Sequence, residues 1–137
     1  MPLSMKNKQI IDSITRVLEK DDRVIFAYLY GSMISEGQGN DIDIGVYAAP
    51  DKDSQSLAVD LQIEMHRKTG LPPETFDVRS LGEIIDQGDI FGLLYLKSVV
   101  DGGIILVDKD PDVRAAFLER YGLRFRECEG LMQEVLA

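Results

Sequence analysis

Apolar side chains recur at positions 10, 11, 14, 17 and 18 of KNKQIIDSITRVLEK (residues 6–20). That is the spacing of one helix face, and it predicts a helix. RVIFAYLY (23–30) follows as an unbroken apolar and aromatic run that ends at Gly31. Its length and its Val, Ile, Phe and Tyr content predict a buried strand. DIDIGVY (41–47) alternates, with Ile42, Ile44 and Val46 facing one way and Asp41 and Asp43 the other. This predicts a strand with one buried side.

SQSLAVDLQIEMHRKTG (54–70) carries two periods at once. Leu57, Val59, Leu61, Ile63 and Met65 alternate like a strand, while Leu57, Leu61 and Met65 also stack at helical spacing. Its many helix formers, and Gly70 followed by Pro72 and Pro73, decide for a helix. TFDVRSL (75–81) predicts a third strand, with Phe76 and Val78 on one side and Asp77 on the other. Residues 82–99 predict one or two short helices broken near Gly88, and GIILVD (103–108) a last strand. Asp110 and Pro111 start a final helix, as capping carboxylate and first-turn proline. That helix is expected to carry Val113, Ala116 and Phe117 inward and to break at Gly122. The order predicts a small mixed α/β fold, with a sheet of about four strands packed against helices, as a single domain over residues 1–137.

Composition narrows the chemistry. One cysteine, Cys128, leaves no internal disulfide and no cysteine-based zinc site, and one histidine, His66, argues against a histidine-rich metal centre. Catalysis must then rest on carboxylates, hydroxyls, backbone amides or a metal held by oxygen. The net charge of −9 builds no basic face of the kind nucleic acid needs. It suits a cationic substrate, a basic partner, a metal site or plain solubility. The sequence has no apolar run of about 18 residues for a membrane span and no signal-peptide core, which predicts a cytoplasmic protein.

The segment GSMISEGQGNDIDIG (31–45) concentrates the candidate chemistry. Strand alternation places Asp41 and Asp43 on one face, close enough to repel, and desolvating them costs several kcal/mol without a positive partner. No Lys or Arg lies in the segment. A divalent cation is the natural compensator, and an oxygen-only donor set points to Mg²⁺ or Mn²⁺. Asp77, on another strand, can face the same side as a third ligand. Three such carboxylates can hold two metals in the arrangement used for in-line displacement at phosphorus. Gly31 lets backbone approach a phosphate, and Ser32 can add a hydroxyl. Each residue also has a plainer reading. Asp41 and Asp43 can be turn residues entering a strand, Asp77 a solvated strand residue, and Ser32 a helix cap. His66, Cys128 and Lys97 read as an exposed helix residue, a packing residue and a surface lysine.

Gly-Ser, a spacer, Asp-x-Asp and a distal third Asp resemble the signature of the DNA polymerase beta-like nucleotidyltransferases. The small size and the C-terminal SVVDGGIILVDKDPDVRAAF look most like the minimal nucleotidyltransferases (MNT), often antitoxins of HEPN ribonuclease toxins. The resemblance covers roughly residues 8 to 120. It departs in a shorter Ser32-to-Asp41 spacer and in the missing basic residue after Gly-Ser, where the chain reads MISEG.

The resemblance implies ATP as substrate, with its triphosphate near Gly31 and Ser32. It implies Mg²⁺ or Mn²⁺ on Asp41, Asp43 and Asp77, and Asp77 helping to orient or deprotonate an acceptor hydroxyl. AMP would pass to a tyrosine of a HEPN-type toxin partner. Assembly with that partner or with a second copy is open. Two other readings stand beside it: a binding-only antitoxin with vestigial chemistry, and a small-molecule nucleotidyltransferase of aminoglycoside-modifying type.

Overall fold

The computed structural model describes residues 5–31, 41–50 and 56–136 of the 137-residue chain. In chain order these form α1 (Met5–Lys20), β1 (Val24–Tyr30), β2 (Ile42–Ala48), α2 (Leu57–Thr69), a 3₁₀ turn (Pro73–Thr75), β3 (Phe76–Ser80), α3 (Leu81–Gln87), α4 (Ile90–Gly102), β4 (Ile104–Asp108) and α5 (Pro111–Leu136). The four strands make one mixed sheet in the order β3-β2-β1-β4. β1 pairs antiparallel with both β2 and β4, while β2 pairs parallel with β3. The expected mixed α/β architecture is therefore present.

Helices cover both faces of the sheet. On one face Ile14, Val17 and Leu18 of α1 and Leu57, Leu61 and Met65 of α2 pack onto Leu29, Ile44 and Phe76. On the other, Leu81 and Ile85 of α3, Leu93, Leu96 and Val99 of α4 and Phe117 of α5 pack onto Phe26, Tyr28 and Tyr30. β1 feeds both cores, which explains its unbroken apolar run. A register shift between Val24 and Phe26 moves Val24 to the α1–α2 side although it is even-numbered like Phe26.

The double period of residues 54–70 resolves as a helix. Leu57, Leu61 and Met65 are buried one turn apart, and Val59 and Ile63 face outward. Gly70 ends the helix with φ +78° and donates its N–H to the His66 carbonyl. The break near Gly88 also stands: Gly88 adopts φ +65°, and Asp89 then caps α4 by accepting from Gly92 N–H at 2.6 Å.

Three expectations need correction. β2 is buried on both sides, because α3 covers the aspartate face beyond Asp43: Leu81 lies so close over Gly45 that a Cβ there would come within 2.8 Å of it. α5 does not break at Gly122 but runs unbroken through it and through Gly130. A helix-interior glycine costs only about 1 kcal/mol, and Phe117, Tyr121, Phe125 and Cys128 hold this helix against its neighbours. Ala116 is exposed, so the inward face of α5 begins with Val113 and Phe117. Among the described residues, no helix is long and apolar enough to cross a membrane.

Candidate active site

Asp43 and Asp77 are brought together by strand register. β2 and β3 pair in parallel with Ile42 opposite Phe76, Asp43 opposite Asp77 and Gly45 opposite Arg79. Side chains directly opposite on neighbouring strands project to the same face, so both carboxylates stand on the α3–α5 side. On the other flank of β2, Tyr30 of β1 is the partner of Asp43.

The Asp43 carboxyl is half-buried and pushed above the usual carboxylate range. Burial is the main cause, followed by repulsion from Asp77 and Asp41; Arg79 acts in the opposite direction. The burial follows from the packing: Tyr30, beside it, is only 8% exposed. Asp41 lies immediately before β2 and is exposed.

Gly31 sits against Asp43. Its φ is +89°, in the left-handed region, and a Cβ there would collide with Asp43 Oδ2. Both facts exclude a side chain at this position. Ser32 and the rest of the spacer to Asn40 lie outside the described residues.

Three further side chains, which the sequence reading did not single out as site residues, line this region. Arg79 Nε approaches Asp77 Oδ2 at 3.4 Å, and its guanidinium lies 5.2 Å over the ring of Tyr95 from α4. The Tyr95 hydroxyl is hydrogen-bonded to the Tyr30 hydroxyl, and the two rings meet edge to face at 5.5 Å. Burial raises the pKa of both phenols, so they stay protonated as hydrogen-bonding groups. Arg79 was findable, since it lies two residues past Asp77 in a strand and so shares its face. Tyr95 was not, because a helix from the far side of the chain delivers it.

The structure thus joins Asp43, Asp77 and Gly31, with Asp41 at the strand entry. Among the described residues, no three Asp, Glu, His or Cys side chains converge tightly enough to form a metal cluster. The donor set nevertheless fits a hard divalent cation. Mg²⁺ keeps several waters and is bound through one or two carboxylates plus substrate phosphates. The Asp43–Asp77 pair, whose repulsion Arg79 only partly offsets, meets that requirement without a complete protein cage. Towards the far ends of β2 and β3, a cavity of about 370 Å³ is lined by Val78, Arg79, Ser80 and Glu83 together with residues of β2, α2 and α3, and none of the three aspartates lines it.

Residues 12–112 match the family "Polymerase beta, Nucleotidyltransferase", and the chain belongs to that family. No curated protein matches the sequence significantly. Among solved structures, a chain from a toxin–antitoxin complex with AMP-PNP is similar with a TM-score of 0.60 at 20% identity, covering 93% of this chain and 98% of that one. A chain from the complex of tri-AMPylated Shewanella oneidensis HEPN toxin with MNT antitoxin is similar at 0.59 and 18%, covering 96% and 99%. A chain from an MntA–HpeT toxin–antitoxin complex with two Asp-to-Glu substitutions is similar at 0.59 and 18%, covering 93% and 98%. At these identities the likeness is one of fold.

Proposed function

We propose that this polymerase beta-type nucleotidyltransferase is an antitoxin that moves AMP from ATP onto a tyrosine hydroxyl of a HEPN-type toxin. The observation that carries the reading is the Asp43–Asp77 rung with Gly31 backbone against it. Two carboxylates and a side-chain-free backbone approach meet at one end of the sheet, as phosphoryl chemistry requires. The toxin–antitoxin folds it resembles, one bound to AMP-PNP and one to an AMPylated HEPN toxin, support the substrate and the partner.

Asp43 and Asp77, with Asp41 at the entry, would hold a divalent cation, Mg²⁺ or Mn²⁺, which supplies charge neutralisation of the triphosphate and of the departing pyrophosphate. Gly31 leaves room for the triphosphate beside Asp43, and Ser32 adds a hydroxyl donor. Asp77 orients the acceptor hydroxyl, whose oxygen forms the new bond to the α-phosphorus. The bond from the α-phosphorus to the bridging oxygen breaks, and pyrophosphate leaves with that oxygen. The hydroxyl proton passes to Asp77 or to water beside it. Arg79 holds Asp77 in place on its strand, and Tyr30 and Tyr95 form the wall behind the carboxylates. The chain's contribution is positioning and electrostatics rather than a covalent intermediate.

The test is incubation of the chain with ATP, Mg²⁺ and a HEPN-type toxin protein, followed by intact-mass measurement of that protein. A gain of one or more AMP units that disappears with Asp43→Asn supports the reading. An unmodified partner that is still bound and silenced favours masking without chemistry.

A further inference from the structure

Arg79 is the cation that the described residues bring against the paired carboxylates. It lies two residues past Asp77 on β3 and shares its face, and among the described residues it is the one cation that acts on Asp43. The connection between β1 and β2 adds no other, since residues 32–40 contain no Lys or Arg. The pair with Asp77 uses little of the guanidinium. Nε alone reaches the carboxylate, at 3.4 Å to each oxygen, and both terminal nitrogens donate to no acceptor among the described residues. The side chain is more than half exposed, so a ligand can reach it. Its position is nevertheless fixed. The guanidinium lies 5.2 Å over the Tyr95 ring, the Tyr95 hydroxyl is hydrogen-bonded to that of Tyr30, and Tyr30 is the β1 partner of Asp43. An arginine stacked in this way holds its planar fork ready for an anion and loses little freedom on binding one.

We propose that Arg79 binds the transferred phosphoryl group, its two terminal nitrogens donating to non-bridging oxygens of the α-phosphate of ATP. The assignment rests on the transfer reading and gives Arg79 a role in it beyond keeping Asp77 in place. On that reading Asp77 orients the acceptor hydroxyl against the α-phosphorus, so a group beside Asp77 on the same face stands at the α-phosphate. A phosphate brought there is repelled by Asp43 and Asp77. A divalent cation neutralises part of that charge. Arg79 offsets more of it from the protein side, through charge-assisted hydrogen bonds in a fixed fork geometry. As the acceptor oxygen bonds to phosphorus and pyrophosphate leaves, the fork is in place before charge develops on those oxygens. Both contacts can coexist, because Nε keeps Asp77 while the terminal nitrogens take the phosphate.

The test measures equilibrium binding of ATP in Mg²⁺ to the full chain as parent, Arg79→Gln, Asp77→Asn and the double variant. Arg79→Gln should weaken ATP binding by about tenfold or more. A loss of the same size should separate Asp77→Asn from the double variant, because a direct phosphate contact does not pass through Asp77. An arginine that acts only by holding Asp77 would have no effect once that carboxylate is gone. Arg79→Lys should recover part of the affinity, since it keeps the charge but not the fork or the stack. In titration without nucleotide, Arg79→Gln should take up Mn²⁺ at least as tightly as the parent, because a cation has left the carboxylates. Weaker Mn²⁺ uptake would mean that Arg79 serves the metal ligands and overturns the assignment. So does parental ATP affinity in Arg79→Gln, or a loss that vanishes in the Asp77→Asn background; in these cases the transfer reading stands without Arg79. A parent that binds no ATP removes the transfer reading itself, and the assignment with it.

Discussion

Asp43 and Asp77 occupy one rung of the parallel ladder between β2 and β3, and Arg79, two residues on, reaches back to Asp77. The carboxyl pair is thus built into strand register rather than into loop geometry, and Arg79 offsets its mutual repulsion only in part.

Asp43→Asn should stabilise the metal-free chain. The folded-state pKa of Asp43 is raised, so the folded state binds this proton more tightly than the unfolded one. Its stabilising contribution is complete below the unfolded carboxylate value of about 3.9 and is lost as pH rises through the folded value. At neutral pH the residue is a cost, of the size of a cross-strand pair, roughly 0.2–1 kcal/mol. In chelator-treated buffer the melting temperature of the variant minus that of the parent should grow from pH 4 to pH 7. A constant difference would remove the raised pKa. In calorimetric titration the same variant should no longer take up Mn²⁺, and parental affinity would remove the metal assignment.

Asp77→Asn should separate binding from transfer. Asp43 and the backbone at Gly31 remain, so most ATP affinity stays. AMP transfer should drop by a factor of about 100 or more if Asp77 handles the acceptor proton. Single-turnover transfer measured beside equilibrium ATP binding distinguishes the two, and parental transfer would place Asp77 outside the chemistry.

Gly31→Val should damage both fold and site. A β-branched residue at φ +89° carries strain of at least about 1–2 kcal/mol, and its Cβ would displace Asp43. A lowered melting temperature together with loss of ATP binding in Mg²⁺ is expected. A variant that binds ATP like the parent would show that the triphosphate does not lie here.

Gly122→Ala should stabilise the chain by about 0.5–1 kcal/mol. The position is interior to α5, and an added Cβ meets nothing within 4 Å. Chemical denaturation should shift the midpoint upward with an unchanged slope. A destabilised variant would mean that α5 needs a flexible joint at this point.

Several features were legible in the sequence because they follow from local periodicity. The buried stripe of α1, the unbroken run of β1, the alternation around Asp43 and the stop at Gly70 each depend on residues within one element. Gly122 misled because a glycine weakens a helix locally, whereas the packing of Phe117, Tyr121 and Phe125 sustains it from outside.

What the tertiary structure decided is which elements lie side by side. Periodicity places Asp77 on a face of its strand but is silent on the neighbour. The parallel β2–β3 register alone sets it opposite Asp43, because a shift by one residue would turn it to the α1–α2 side. Likewise, nothing near Tyr95 in sequence announces the site, and only the lie of α4 across the sheet brings its ring to Tyr30 and Arg79. The residue types that can do the chemistry are written locally; their convergence is a property of long-range pairing, which no window of neighbouring residues contains.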